Sequence, residues 1–141
     1  MPLKDYLATL QSLFSENPSV TSISLHHEER PPIAGLIKGT LDFADGSQLD
    51  FREFLITQPV LQVVKYVYNY RRGELLIFRY DNANDPAAKN LTTYPCHKYV
   101  AQDILAAQQP SLGQVLQEIT SRQNFHKITL QTLSNLVPTS S

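Results

Sequence analysis

The chain has 141 residues, a length that fits one domain with its own core and is short for two. Its net charge of −1 excludes a global positive field that would draw it to nucleic acid or membrane, so any such binding needs a local patch. A single cysteine excludes an internal disulfide, and no apolar run reaches the roughly 18 residues of a membrane span. We therefore expect a single domain over residues 1–141, located in the cytoplasm and without a membrane partner.

The predicted elements begin with an amphipathic helix that stops at Asn17-Pro18. Its apolar side chains recur at helical spacing, at Leu3, Leu7, Leu10 and Phe14. Five segments with strand periodicity follow, which are residues 20–26, 33–43, 47–56, 62–71 and 75–81. Glycine-containing turns are predicted at 44–46 and at Arg72-Gly73, so each of these turns closes a hairpin.

The rest of the chain returns from strand to helix. Residues 82–95 are rich in Asn, Asp, Pro and Thr, which predicts a loop, and a short extended piece is expected at 97–100. A helix opens at Ser111, which forms a capping box with Gln114, and a separate weak helical segment covers 128–136 before a frayed tail at 139–141. This order predicts an α+β fold, with an antiparallel meander sheet of about five or six strands flanked by an N-terminal and a C-terminal helix. One sheet face is then free for function.

The hairpin around Arg72-Gly73 decides which side chains share that free face. A two-residue turn at this point would oppose Tyr70 with Leu75 and Tyr66 with Arg79. The expected result is one surface that carries the three alternating tyrosines together with Arg79 and Asp81, the tyrosines being Tyr66, Tyr68 and Tyr70. The prediction depends on the register, because a shift of one residue moves one strand's side chains to the opposite face.

Glu53 stands in the apolar phase of its predicted strand. A carboxylate at such a position either tips into water at a strand end or pairs with a cation in a partly buried site, because an unpaired buried charge is costly. Arg79 is the most attractive partner, and we predict an ion pair between the two. Such a pair is either purely structural or part of an anion pocket.

His97 follows the predicted loop and stands beside Lys98, downstream of Arg79. It is either a structural histidine or a proton-transfer residue, because imidazole titrates near neutral pH. No metal site is predicted at His26-His27, since neighbouring strand residues face opposite ways, and Cys96 is a weak candidate for a nucleophile. The chain has no phosphate-binding glycine loop and no dinucleotide fingerprint, so we expect neither cofactor nor metal.

Several segments of the chain together form a recognisable pattern: residues 45–54, 65–70, 76–83 and 93–98, followed by Pro110-Ser111-Leu112. They resemble the TumE-like toxin family of bacterial and archaeal toxin–antitoxin modules, over about residues 40–120. The most specific part is the Arg-Tyr-Asp-Asn-Ala string at 79–83 combined with Pro-x-His-Lys at 95–98. The resemblance implies a small α+β toxin, encoded beside a cognate antitoxin, with a ribonuclease-type activity.

Three histidines that are typical of the family are absent. The family tends to read Phe-Pro-His-His-Lys-His where this chain has Tyr-Pro-Cys-His-Lys-Tyr, and it often has a histidine where Asn69 stands. The missing imidazoles therefore correspond to Asn69, Cys96 and Tyr99. If those imidazoles are catalytic in the family, this chain is weakened or inactive.

The resemblance also assigns roles to residues, and those carried over are Glu53, Tyr68, Arg79, Asp81, Asn82, His97 and Lys98. In metal-independent RNA cleavage, Glu53 and His97 would act as base and acid in either order. Arg79 and Lys98 would stabilise the charge that develops on the phosphorus oxygens. The three tyrosines would stack on unpaired bases as part of a substrate site that includes Asp81 and Asn82.

Another class of function remains open, a non-enzymatic interaction module whose tyrosine-rich face binds a protein partner, since tyrosine and arginine are frequent in interface hot spots. The predicted partners are a cognate antitoxin and RNA, and a homodimer is left open.

Overall fold

The computed structural model describes residues 2–136, which form two compact units. The first unit runs to Pro110 and contains one α-helix, a short 3₁₀ helix (Pro86–Ala88) and all the strands, and the second begins at Ser111 and contains one α-helix. The prediction of a single domain stays a prediction. The predicted tail at 139–141 lies outside the described residues.

The predicted α+β class and the meander are confirmed. The elements are α1 (Leu3–Ser15), β1 (Val20–Arg30), β2 (Ala34–Phe43), β3 (Gln48–Ile56), β4 (Gln62–Arg72), β5 (Leu75–Asp81), β6 (His97–Val100), β7 (Asp103–Ala106) and α2 (Leu112–Leu136). All neighbouring strands are antiparallel, and their order in the sheet is their order in the chain. The sheet has seven strands rather than five or six, because β7, which the sequence did not predict, pairs with the predicted extended piece β6.

The C-terminal helix α2 is one continuous element of 25 residues, whereas the sequence suggested two segments. Its capping box is confirmed. The Ser111 N–H donates to the Gln114 side chain at 2.9 Å, and the Gln114 N–H donates to Ser111 Oγ at 3.1 Å. These reciprocal bonds satisfy backbone donors that the first turn leaves unpaired.

The inner face of the sheet is the face that packs against α1. Its buried apolar side chains include Ile37, Leu41, Leu49, Phe51, Leu55 and Phe78, and those of α1 are Leu3, Leu7, Leu10 and Phe14. The rings of Phe14 and Phe51 lie 5.5 Å apart, centroid to centroid, and join the helix to the centre of the sheet. The outer face is the opposite one, and it carries Lys38, Arg52, Val67 and Arg79.

A β-bulge in the hairpin of β4 and β5 overturns the predicted pairing. The register shifts between Tyr70 and Arg71, so Tyr70 opposes Phe78 rather than Leu75. One extra residue reverses the alternation of β5 relative to β4, because successive strand residues point to opposite faces. Arg79 therefore opposes Asn69 on the outer face.

The tyrosines and the polar residues of β5 consequently lie on opposite faces of the sheet. Tyr66, Tyr68 and Tyr70 occupy the inner face and are at most 2% exposed. The predicted shared surface of tyrosines, Arg79 and Asp81 is therefore wrong. The face that remains accessible in the first unit is the outer one.

Candidate functional site

Asp81 is the centre of a polar cluster at the end of β5. Its carboxylate is buried and accepts a hydrogen bond from Arg79 Nε at 3.0 Å and another from the Ala83 N–H at 3.1 Å. His97 of β6 pairs with Asp81 across the strands, and its Nε2 lies 2.9 Å from Asp81 Oδ1. The fold thus brings together three of the predicted site residues.

Both ring nitrogens of His97 face protein groups. Nδ1 donates to the carbonyl oxygen of Pro95 at 2.6 Å. Nε2 faces the Asp81 carboxylate without the alignment of a hydrogen bond, so the contact is an ion pair only when the imidazole is protonated. Because His97 is only 1% exposed, its contacts fit the anchoring of the preceding loop better than proton exchange with a substrate.

Arg79 extends the cluster towards solvent. Its guanidinium lies 4.8 Å from the ring centroid of Tyr99, and its side chain is 39% exposed. The Tyr99 hydroxyl donates to the Asp85 carboxylate, a bond that lowers the pKa of Asp85 and raises the pKa of Tyr99. Arg79 is therefore held in place by an anion and an aromatic ring, while part of its side chain is accessible.

Glu53 belongs to a different environment, the inner face beneath α1. Its carboxylate accepts hydrogen bonds from the hydroxyls of Tyr6 at 2.7 Å and of Tyr68 at 2.5 Å. Burial raises the pKa of Glu53, and the two hydrogen bonds oppose that shift in part. The predicted ion pair with Arg79 does not form, because Glu53 and Arg79 lie on opposite faces of the sheet.

Tyr6 is the partner of Glu53 that sequence reasoning missed. It stands next to Leu7 of the apolar stripe of α1, and this position was the available signal. The pKa of Tyr6 is raised because its burial, the charge of Glu53 and their hydrogen bond all disfavour the phenolate. Tyr6 therefore remains a donor that ties α1 to β3.

The other inner-face candidates also make contacts within the protein. Tyr66 and Tyr68 stack with their ring centroids 5.2 Å apart, and the Tyr70 hydroxyl donates to Ser47 Oγ at 2.7 Å. Lys98 Nζ lies 4.8 Å from the ring centroid of Tyr80. An interaction module based on an exposed tyrosine face is not supported, because those rings are buried.

The Asn82 side chain is occupied by the backbone of β4. Its Nδ2 donates to the carbonyl of Val64 at 3.0 Å, and its Oδ1 accepts from the Tyr66 N–H at 3.1 Å. Asn82 thereby continues the hydrogen bonding of β4 beyond Asp81, the last residue of β5. Both polar groups of its side-chain amide are thus bonded to the backbone, and a role of Asn82 in substrate binding stays a prediction.

The outer face carries a row of cationic side chains that sequence reasoning did not single out. Lys38 of β2 opposes His26 of β1 on one side and Arg52 of β3 on the other. All three side chains are exposed, and neither Lys38 nor Arg52 forms an ion pair with any residue in 2–136. The three contribute to the lining of a groove of about 550 Å³, here called the histidine groove.

Asp50 is the carboxylate of the histidine groove. Its burial favours the protonated form, but hydrogen bonds from Arg71, at 2.5 Å, and from Thr40, at 2.9 Å, outweigh it and lower the pKa of Asp50. The negative charge is thus paired with Arg71. Lys38 and Arg52 keep their positive charge available to a ligand.

A second groove of about 750 Å³ lies beside the first, and Arg52 lines both. Its other cations are Arg30 and Lys65, and its apolar lining includes Leu36, Phe54 and Val67. The outer face therefore offers cationic and apolar groups side by side.

Two further findings concern metal binding and membrane-spanning helices. Within residues 2–136, no three His, Cys, Asp or Glu side chains are grouped so that they can hold a metal ion. In the same range, no helix is both long enough and apolar enough to cross a membrane.

A family model described as toxin TumE matches residues 10–123. The chain belongs to the TumE toxin family. This confirms the resemblance carried by the motifs, and family membership implies an antitoxin partner. No match was found among curated proteins or among solved structures.

Two of the three residues that the sequence singled out as departures from the family pattern, Asn69 and Tyr99, are the direct cross-strand neighbours of Arg79 on the outer face. The third, Cys96, immediately precedes His97. That histidines are typical of the TumE family at these positions stays a prediction.

Proposed function

We propose that this TumE-family toxin acts on RNA, which its outer face binds through phosphates and cleaves in a metal-independent reaction. The observation that carries the proposal is the exposed pair Lys38 and Arg52, two cations on adjacent strands with no acidic partner among the described residues. Phosphate contacts of this kind supply most of the sequence-independent affinity for nucleic acid.

Charge segregation supports this surface. The whole chain has a net charge of −1, yet Arg30, Lys38, Arg52 and Lys65 all line the two grooves of the outer face. The grooves also hold one carboxylate, Asp50, which is paired with Arg71, so the cations outnumber the anions in their lining although the net charge of the chain is negative. Steering of an anionic polymer depends on such local fields.

Arg79 fits the role of a phosphate-binding cation in the proposed reaction. Arginine can donate two hydrogen bonds to one phosphate, and the salt bridge to Asp81 and the Tyr99 ring hold this guanidinium in position. His97 would anchor the loop that precedes β6 through its bond to the Pro95 carbonyl. The proton-transfer role predicted for Glu53 and the cationic role predicted for Lys98 stay predictions, and their inner-face positions lend them no support.

The proposal is tested by expression in a bacterium without the neighbouring antitoxin gene and by incubation of the purified protein with single-stranded RNA in the presence of EDTA. We expect slowed growth and RNA fragments, and we expect both to disappear in the double variant Lys38→Ala/Arg52→Ala. The control is Lys4→Ala, which removes an exposed cation from α1, the helix that packs on the inner face, and should act like the wild type.

Unimpaired growth together with intact RNA, at normal levels of folded wild-type protein, would overturn the proposal. Fragmentation that is lost in EDTA and restored by a divalent cation would overturn its metal-independent part. Co-expression with the neighbouring reading frame should restore growth if that frame encodes the antitoxin. Whether the chain forms a homodimer stays a prediction.

A further inference from the structure

His26 lies at one end of the cation row, inside the histidine groove. It is exposed, and it stands directly opposite Lys38 in the pairing of β1 with β2. Its one side-chain hydrogen-bond partner among the described residues is Ser24 Oγ, 3.4 Å from Nε2, which is long for a hydrogen bond. The imidazole is therefore accessible, and its neighbours in the row are cations.

We propose that His26 is the proton-transfer residue of RNA cleavage. The inference rests on the proposed function and adds a catalytic residue to it. Side chains that face each other across antiparallel strands have their Cβ atoms about 5 Å apart. A phosphate bound between Lys38 and Arg52 would therefore bring its attached ribose within reach of His26.

The other histidine of the same strand faces away from the groove. His27 opposes Ile37 of the inner face, because neighbouring strand residues point to opposite sides of a sheet. His97 is buried, and both its ring nitrogens face protein groups. Within the first unit, His26 combines the access and the cationic neighbours that a catalytic base acting on RNA needs.

The proposed step needs no co-reactant. A neutral nitrogen of His26 takes the proton of a ribose 2′-hydroxyl, and the 2′-oxygen forms a bond to phosphorus while the bond from phosphorus to the 5′-oxygen breaks. The leaving 5′-oxygen takes a proton from water in the open groove, and the imidazolium returns its proton to solvent. The products are a 2′,3′-cyclic phosphate and a free 5′-hydroxyl, and Lys38 and Arg52 stabilise the charge on the phosphorane oxygens.

The test compares His26→Ala and His26→Gln with His27→Ala, a control that removes the same side chain from the same strand but from the other face. Cleavage of a mixed-sequence single-stranded RNA is measured between about pH 5 and pH 8, the range in which imidazole changes charge. We expect both His26 variants to be about 10²- to 10⁴-fold slower and to lose the rise of rate with pH. His27→Ala should match the wild type.

Binding is measured separately with a 2′-O-methyl RNA of the same sequence, which lacks the reacting hydroxyl. The His26 variants should bind this probe within about twofold of the wild type, because His26 acts on the 2′-hydroxyl and contributes no fixed charge to the phosphate contacts. Equal melting temperatures would establish that the variants are folded.

Wild-type cleavage together with undiminished cleavage by folded His26→Ala would overturn the assignment of His26 and leave the RNA-directed function standing. Fragments that carry 3′-hydroxyl ends would also overturn it, because the proposed step cannot produce them. Failure of the wild type to cleave any RNA would overturn the proposed function and this inference together.

Discussion

Glu53 illustrates at the residue scale how burial changes a charged group. Its carboxylate is 1% exposed, and its hydrogen-bond donors are two tyrosine hydroxyls and not a cation. Burial therefore dominates, and the pKa of Glu53 is raised. The folded state binds this proton more tightly than the unfolded state does.

This shift predicts a specific pH dependence of stability. The contribution of Glu53 to the free energy of unfolding is fully present below the unfolded-state pKa of about 4.3 and is lost as pH rises through the raised folded-state pKa. We expect the free energy of unfolding of the wild type, minus that of Glu53→Gln, to be more positive near pH 4 than near pH 7. Urea denaturation of both proteins at both pH values measures these free energies of unfolding. If the difference between wild type and Glu53→Gln is the same at the two pH values, the raised pKa of Glu53 is contradicted.

His97 supplies a second prediction at the residue scale. Because its imidazole is buried and bonded to the Pro95 carbonyl, His97→Ala should lower the free energy of unfolding by about 1 to 3 kcal/mol. RNA cleavage should then fall only in proportion to the folded fraction. A variant with native stability but no activity would instead show that His97 takes part in the chemistry.

At the scale of elements, the close approach of β1, β2 and the Phe51 ring depends on a glycine. A Cβ at Gly39 would lie 2.5 Å from the carbonyl oxygen of Ser24 and 2.7 Å from Cζ of Phe51. The first of these atoms is backbone and cannot rotate away. We expect Gly39→Ala to destabilise the protein by about 1 to 3 kcal/mol, as overpacking does.

Gly113 is the matched control for this substitution. It lies in the first turn of α2, where an added Cβ would come no closer than 3.7 Å to its nearest neighbour, Ser111 Oγ. Gly113→Ala should therefore raise helix stability by about 0.5 to 1 kcal/mol, because alanine loses less backbone entropy in a helix. Thermal unfolding of both variants makes the comparison, and equal melting temperatures would contradict the close packing at Gly39.

At the scale of the whole molecule, the positive grooves predict how RNA affinity depends on salt. For single-stranded nucleic acid, each phosphate that a cationic side chain neutralises adds about 0.7 to the steepness of the slope of log K against log salt. Lys38→Ala/Arg52→Ala should therefore reduce the slope by about 1.4. Titration of wild type and double variant with 2′-O-methyl RNA over a series of salt concentrations measures both slopes. Equal slopes would show that the RNA phosphates do not contact Lys38 and Arg52.

The sequence by itself determined the features that depend on near neighbours. The order of helix, meander and helix follows from apolar periodicity, and the capping box of Ser111 and Gln114 is a contact over three residues. The combination of the 79–83 string with His97 and Lys98 was sufficient to indicate the family. It also singled out Arg79, Asp81 and His97, which the fold brings together.

The tertiary structure alone decided which face each polar residue occupies. The bulge beside Tyr70 shifts which residues of β4 and β5 pair with each other. The sequence does not reveal it, because each strand shows the same alternation of side chains with or without the bulge. The bulge places Arg79 on the face opposite the tyrosines. Glu53 therefore pairs with the hydroxyls of Tyr6 and Tyr68 and not with Arg79. The row of His26, Lys38 and Arg52 was equally hidden, because its members come from three strands and become neighbours only through sheet pairing.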